Sequence, residues 1–169
     1  MTRTTRRTRV RAALVTATAL VTAATVSVGV SQAGGSKAPQ KPSKKQIAAL
    51  FDRWNAALRT GDPEKVADLY AKDAVLLPTV SNRIRTDHAG IVDYFEHFLR
   101  NKPVGEKKRT VVDILDSDSA IDTGIYAFTL TDPKTGAERV VEARYTYEYE
   151  KRGDRWLIVN HHSSAMPEG

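Results

Sequence analysis

A change of hydrophobic period near residue 109 constrains the fold of this 169-residue chain more than any other feature. Before it, apolar residues recur at helical spacing, and after it they alternate, as in strands that bury one face. Four alternating stretches are predicted as strands, over 109–115, 119–131, 137–150 and 155–164. Since helices precede a run of hairpin-linked strands, the pattern predicts an α+β fold in which helices pack on a curved antiparallel sheet, closing it into a cone.

The first helix is predicted from its start signal and its apolar face. Ser43 and Gln46 form a capping box, and Gly61 ends the helix. The apolar face of this helix consists of Ile47, Leu50, Phe51, Trp54 and Leu58. Such a stripe is typical of a helix that packs on a sheet.

A second, short helix begins at Asp62 and Pro63, with the aspartate as cap and the proline in the first turn. Its apolar face is predicted to include Tyr70. A short strand over 74–79 and a third helix capped at 86–87 complete the N-terminal half.

Residues 1–33 have the three parts of a secretory signal. Five arginines and no acid come first, an Ala/Val/Thr-rich stretch over 12–30 follows, and small residues stand at Ser31 and Ala33. We therefore expect a signal peptide cleaved after Ala33 and a secreted protein. A retained membrane anchor is the alternative, but the apolar stretch is weak, so stable membrane insertion is not expected. Residues 34–43 form a Gly/Pro/Ser/Lys linker to a domain over 44–168.

Charge and cysteine usage exclude two classes of function. The net charge is +6, but residues 46–169 hold 17 basic and 20 acidic groups, or −3, so the predicted domain is not a basic nucleic-acid binder. The chain has no cysteine, which excludes disulfides and thiolate metal sites. The domain must therefore be held by one hydrophobic core.

Five segments carry a family resemblance: 51–63, 77–83, 91–95, 143–147 and 161–167. They resemble small bacterial nuclear transport factor 2-like proteins with the fold of the calcium/calmodulin-dependent protein kinase II association domain, including the SgcJ/EcaC type. The resemblance covers 44–168 and implies a cone-shaped pocket and self-association through the curved sheet, as a homodimer or a larger ring. It does not imply a kinase, because no kinase motif is present. The same cone hosts isomerases, dehydratases, cyclases and oligomerisation modules, so fold alone does not give function.

Arg144 is the candidate anchor for a small anionic ligand. One face of the strand around it carries tyrosines, and the other carries Arg144 among glutamates. The resemblance implies an arginine-lined anion site, in which Arg144 would bind a carboxylate bidentately. The alternative is a solvated face on which Arg144 pairs with Glu142 or Glu148.

His161 and His162 are neighbours in a strand, so they point to opposite faces and cannot easily share a metal. One histidine should face the pocket and the other the outer surface, and alternation alone leaves open which does which. His162 is the candidate pocket residue, with Asn160 as a second polar partner. His162 is the candidate general base, and a structural histidine is the alternative. The candidate aromatic walls of the pocket are Trp54, Tyr70 and Tyr126.

Asp113 and Asp122 also lie in predicted strands. A buried strand carboxylate would have a raised pKa and could act as a base. For both aspartates we favour the simpler interpretation, in which the side chain faces solvent. No dinucleotide-binding glycine pattern occurs, so no cofactor and no metal are expected.

Three functions follow as hypotheses. The first is a secreted, self-associating protein with a pocket for a small organic acid. The second is a cofactor-independent isomerase, dehydratase or cyclase that uses a pocket His or Asp. The third is a purely structural oligomerisation module.

Overall fold

The computed structural model describes residues 40–167. Three helices, α1 (Lys44–Arg59), α2 (Pro63–Ala67) and α3 (His88–Phe98), are followed by a 3-10 turn (Leu99–Asn101). The five strands are β1 (Tyr70–Leu77), β2 (Val104–Ile114), β3 (Ser119–Thr131), β4 (Glu138–Arg152) and β5 (Arg155–Ala165). The predicted signal peptide and most of the predicted linker lie outside the described residues.

The helix starts are where the capping signals predict them. The Ser43 hydroxyl accepts a hydrogen bond from the backbone N–H of Gln46, and the Gln46 side chain accepts from the Ser43 backbone. The Asp62 carboxylate caps α2 and the Asp87 carboxylate caps α3. Each side chain satisfies backbone donors that a helix leaves open at its first turn.

The sheet has the strand order β1-β5-β4-β3-β2. The predicted antiparallel meander of β2 to β5 is confirmed, whereas β1 runs parallel to β5, so the sheet is mixed. β1 begins at Tyr70, which pairs with Ile158, rather than at residue 74. The helical prediction for Tyr70 is therefore wrong, because a partner strand from the far end of the chain outweighs the local helical spacing.

β2 begins at Val104, five residues before the predicted start at 109. The charged run from Glu106 to Lys108 hides the alternation, and the register shifts between Lys107 and Arg109. Opposite this bulge is Gly124, where a Cβ atom would lie 1.9 Å from the carbonyl oxygen of Arg109. Only glycine allows the strands to approach so closely, and a bulge of this kind bends the strand locally.

The helices cover one face of the sheet and the core lies between them. α1 contributes Phe51 and Trp54, which are each 2% exposed, and the sheet contributes a row of tyrosines at 126, 145, 147 and 149. The opposite face, called the outer face below, carries Val104, Val111 and Val140, which are 44–67% exposed. Among residues 40–167, no helix is both long enough and apolar enough to cross a membrane.

Candidate ligand-binding cavity

A cavity opens between α3, the C-terminal end of β1 and the helix-covered face of β3, β4 and β5, called the inner face below. It encloses about 520 Å³ including its open mouth, of which about 50 Å³ is wide enough for the centre of a water molecule. A single water needs about 10–15 Å³ measured this way, so the cavity holds a few waters or one small ligand. The mouth lies at Pro78, Thr79 and Val80, and Val80 is 65% exposed.

The walls of the cavity are apolar. Rings of Phe95, Phe98 and Phe128 form one side, and the side chains of Leu130 and Val141 form another. None of the residues that line it carries a carboxylate, an ammonium or a guanidinium group. A ligand in this cavity is therefore held mainly by apolar contacts, with few polar groups to orient it.

A chain of hydrogen bonds, called the hydrogen-bond line below, connects polar groups in and next to the cavity wall, from Trp54 to Thr79. The Trp54 Nε1–H donates to the Tyr70 hydroxyl oxygen at 3.1 Å, and that hydroxyl lies 2.8 Å from Nδ1 of His161. On the other side of the ring, Nε2 of His161 lies 3.5 Å from the Tyr126 hydroxyl. The Tyr126 hydroxyl donates to Ser163, and the Ser163 and Thr79 hydroxyls are hydrogen bonded to each other.

The donors fix the direction of only some of these bonds. An indole N–H only donates, so the Tyr70 oxygen accepts from Trp54. The bond between the Tyr70 hydroxyl and Nδ1 of His161 can run in either direction, depending on the imidazole tautomer. Tyr126 donates to Ser163, and either hydroxyl can donate in the bond between Ser163 and Thr79. When Ser163 is the donor in that bond, the Thr79 hydrogen is left for a ligand in the cavity.

Burial keeps every group of this line in its uncharged form. Desolvation lowers the pKa of His161 to about 3, with a smaller contribution from the charge of His162. Desolvation also raises the pKa of Tyr70 and of Tyr126 above the ordinary tyrosine value. At neutral pH, His161 is therefore a neutral donor and acceptor, and a weak base.

Two of the predicted site residues lie elsewhere. Arg144 and His162 are exposed, and both lie on the outer face, where they pair with Ser164 and Thr146. The physical reason is alternation: the tyrosines of β4 fill the core, so the arginine between them points away from it. In β5, it is His161, 3% exposed, that faces the cavity.

The other predicted residues divide in the same way. Asn160 is half-buried and pairs with Glu148 on the outer face. Trp54 and Tyr126 line the cavity, and Tyr70 lies directly behind it, bonded to His161. Thr79 and Ser163 also line the cavity, and the sequence analysis did not predict either of them. For Ser163 a signal existed, because it lies two residues after His161 on the same strand and therefore faces the same side.

Asp122 is fully buried, which corrects the expectation of a solvent-facing side chain; Asp113 is exposed, as expected. The Asp122 carboxylate accepts a hydrogen bond from the Tyr145 hydroxyl at 3.0 Å and lies 3.6 Å from the Lys107 ammonium. Desolvation raises its pKa, against the lowering effect of Lys107 and Tyr145. Asp122 is not among the residues that line the cavity.

Within residues 40–167, no three His, Asp or Glu side chains come together as a metal site would require. The histidines outside β5 make local contacts instead. His88 is 3.0 Å from a carboxylate oxygen of Glu64, and Nδ1 of His97 is 2.8 Å from the Asp93 carbonyl oxygen.

Helices followed by a curved five-stranded sheet with a cavity at its open end define a nuclear transport factor 2-like fold. Solved structures of this class from Novosphingobium aromaticivorans match it, among them a scytalone dehydratase-type protein (13% identity, 72% of this chain, 83% of that chain, TM-score 0.65). The association domain of C. elegans CaMKII also matches (15% identity, 72% and 95%, TM-score 0.59). Comparison with curated proteins gives no match.

The chain belongs to the calcium/calmodulin dependent protein kinase II association domain family, whose model matches residues 43–167. A Xanthomonas campestris protein named for the same association domain is 59% identical, over 78% of this chain and 93% of that chain, with a TM-score of 0.74. The family resemblance of the sequence is thereby confirmed.

Proposed function

We propose that this chain is a pocket protein that binds a small, uncharged, largely apolar molecule with one oxygen acceptor. One observation carries the proposal: the cavity is lined by uncharged groups, and its hydrogen-bond line ends at the Thr79 hydroxyl, which can donate to a ligand. A ketone or ester oxygen accepts such a bond without the desolvation cost of a charge. The sequence predicted an organic acid bound by Arg144, but Arg144 lies on the outer face and cannot bind a carboxylate in this cavity.

Two probes of equal size test this proposal. Acetophenone and ethylbenzene share the apolar body, and only acetophenone has the acceptor oxygen. NMR titration should give a tighter dissociation constant for acetophenone, by about fivefold to tenfold, since one hydrogen bond contributes about 1 kcal/mol.

The variant Thr79→Val should remove that difference and leave ethylbenzene binding unchanged. Thr146→Val, on the outer face, is the matched control and should change neither constant. If neither probe shifts the resonances of the cavity residues, the cavity is not a ligand site, and the purely structural module becomes the better description.

We also propose that the chain self-associates through the outer face of its sheet. Val104 and Val140 both pair with Thr129, which places two exposed apolar side chains in one cross-strand row, and Val111 lies on the same face. Uncovered apolar rows of this kind are typical of protein interfaces. Membership of the association domain family also supports self-association.

Light scattering tests the association. The parent protein should have the mass of a dimer or a larger ring, and Val140→Glu should lower it. Ile84→Glu, which changes an exposed apolar residue outside the sheet, should leave the mass unchanged. A monomeric parent protein contradicts the proposal.

Export remains part of the proposal and rests on residues 1–33. Sequencing of the mature N-terminus from culture medium should begin at Gly34. A chain retained in the cell with its first residues intact contradicts it.

A further inference from the structure

A second cavity adjoins the first and differs from it in polarity. It spans about 720 Å³ including the open space at its mouth, on the same measure that gives 520 Å³ for the first cavity, and its lining includes Ser81, Arg85 and Asp93. Val80, Tyr94 and Phe98 line both cavities, so the two are separated by these side chains. The second cavity thus has an apolar side and a charged side.

Arg85 supplies the positive charge, and the backbone fixes its position. Its N–H and carbonyl both bond to Leu76, at 2.9 Å and 2.8 Å, as an isolated bridge at the edge of β1. Its side-chain stem lies over Gly90, where a Cβ atom would be 3.6 Å from the Arg85 methylenes. The residue is only 8% exposed.

The guanidinium group of Arg85 is incompletely satisfied. Its Nη1 lies 3.1 Å from a carboxylate oxygen of Asp93, but neither Nη1 nor Nε makes a well-aligned hydrogen bond. A guanidinium has five N–H donors, and a buried charge is normally hydrogen bonded as well as paired. Its one charged partner among residues 40–167, Asp93, has a side chain that is 45% exposed and can turn into solvent at little cost.

We propose that the second cavity is an anion site in which a small carboxylate displaces Asp93 and binds Arg85. A carboxylate matches the planar fork of a guanidinium and can satisfy two of its donors at once. Tyr94, Phe98 and Val80 provide apolar contact for a ring or short chain attached to that carboxylate. Two other titratable groups line the cavity: burial raises the pKa of Tyr94, so it stays neutral, and His97 is exposed and hydrogen bonded to the Asp93 carbonyl.

A structural role is the competing explanation: Arg85 would only anchor α3 through Asp93. The two explanations differ in what Asp93 does. As a competitor of the ligand, Asp93 weakens anion binding, whereas as a structural partner it has no effect on binding beyond its charge.

NMR titration with sodium benzoate at constant ionic strength separates them. Asp93→Asn should tighten benzoate binding by about threefold or more, because a partly exposed ion pair no longer competes. Glu96→Gln removes the same charge from an exposed site on α3 and is the matched control, with little change expected. Equal effects of the two substitutions, or no effect of either, overturn the proposal.

Arg85→Gln should abolish benzoate binding, and circular dichroism checks that it folds. If this variant unfolds, the Asp93→Asn comparison still decides the question. Thr79→Val distinguishes the two cavities, because it should weaken the binding of acetophenone and leave the binding of benzoate unchanged. Loss of benzoate binding in Thr79→Val places the benzoate in the first cavity and contradicts the anion site.

Discussion

The Tyr70 hydroxyl lies 2.8 Å from Nδ1 of His161 and is the one hydrogen-bond partner of that nitrogen within the described part of the chain. Tyr70 stands at the start of β1 and His161 near the end of β5, 91 positions apart. The same hydroxyl accepts the indole N–H of Trp54. One phenol oxygen therefore connects α1, β1 and β5.

Tyr70→Phe should lower the free energy of unfolding by about 2 kcal/mol or more. The substitution leaves two buried groups without partners, Nδ1 of His161 and Nε1 of Trp54, and each such group costs about 1–3 kcal/mol. Urea denaturation measures the change. Tyr147→Phe is the control, because the buried Tyr147 hydroxyl has no hydrogen-bond partner in the part of the chain that the structure describes, and its loss should cost little.

Stability should fall on acidification in a way that depends on His161. Its pKa is about 3 in the folded chain, against 6.5 for an ordinary histidine. Between these values the unfolded chain binds a proton that the folded chain does not, so stability falls as pH decreases, by about 1.4 kcal/mol per pH unit. Above pH 6.5 the group contributes no pH dependence.

Unfolding curves from pH 7 to pH 4 test this prediction. The free energy of unfolding of His161→Gln should fall less steeply with decreasing pH than that of the parent protein. For His162→Gln, which changes an exposed residue, it should fall as steeply as in the parent. Equal slopes in both variants contradict the assignment to His161.

Lys107 and Asp122 should behave as a coupled pair. Lys107→Met alone leaves a buried carboxylate without its cation, and Asp122→Leu alone leaves a lysine that is 16% exposed without its anion. Breaking a buried pair from one side costs about 3–5 kcal/mol, whereas replacing both members by apolar residues costs less. A double-mutant cycle by chemical denaturation measures the coupling, and additive effects contradict it.

Gly124→Ala should destabilise the chain much more than Gly61→Ala. The new methyl group at 124 would meet the Arg109 carbonyl at 1.9 Å, which forces β2 and β3 apart. Gly61 has a left-handed φ of 70° and open space around it, so alanine there costs only about 1 kcal/mol of backbone strain. Thermal unfolding of both variants gives the comparison.

The local signals predicted the helices well because each has its own start marker. Ser43, Asp62 and Asp87 carry the information for capping within three residues of their partners. The strands of the meander were equally readable, since a buried face shows in their alternation. By contrast, β1 pairs with a strand from the far end of the chain, and its true start at Tyr70 is not encoded locally.

The site was predicted less well, because alternation identifies two faces but not which one is inside. Arg144 and His162 were assigned to the inner face, although the tyrosines beside Arg144 are the larger apolar groups and take the core. The sequence alone gives no signal that singles out Arg85. Its burial depends on the bridge to Leu76 and on the fold of α3, neither of which a pattern along the chain reveals.

The position of β5 also sets an order of events during synthesis. Although it is the last strand of the described chain, it lies between β1 and β4 and bonds to both. Until residues 155–165 have left the ribosome, β1 has no neighbour and the Tyr70 hydroxyl has no histidine to meet. The helices and the β2–β3–β4 hairpins can therefore form early, but the sheet can be completed only after β5 has been translated.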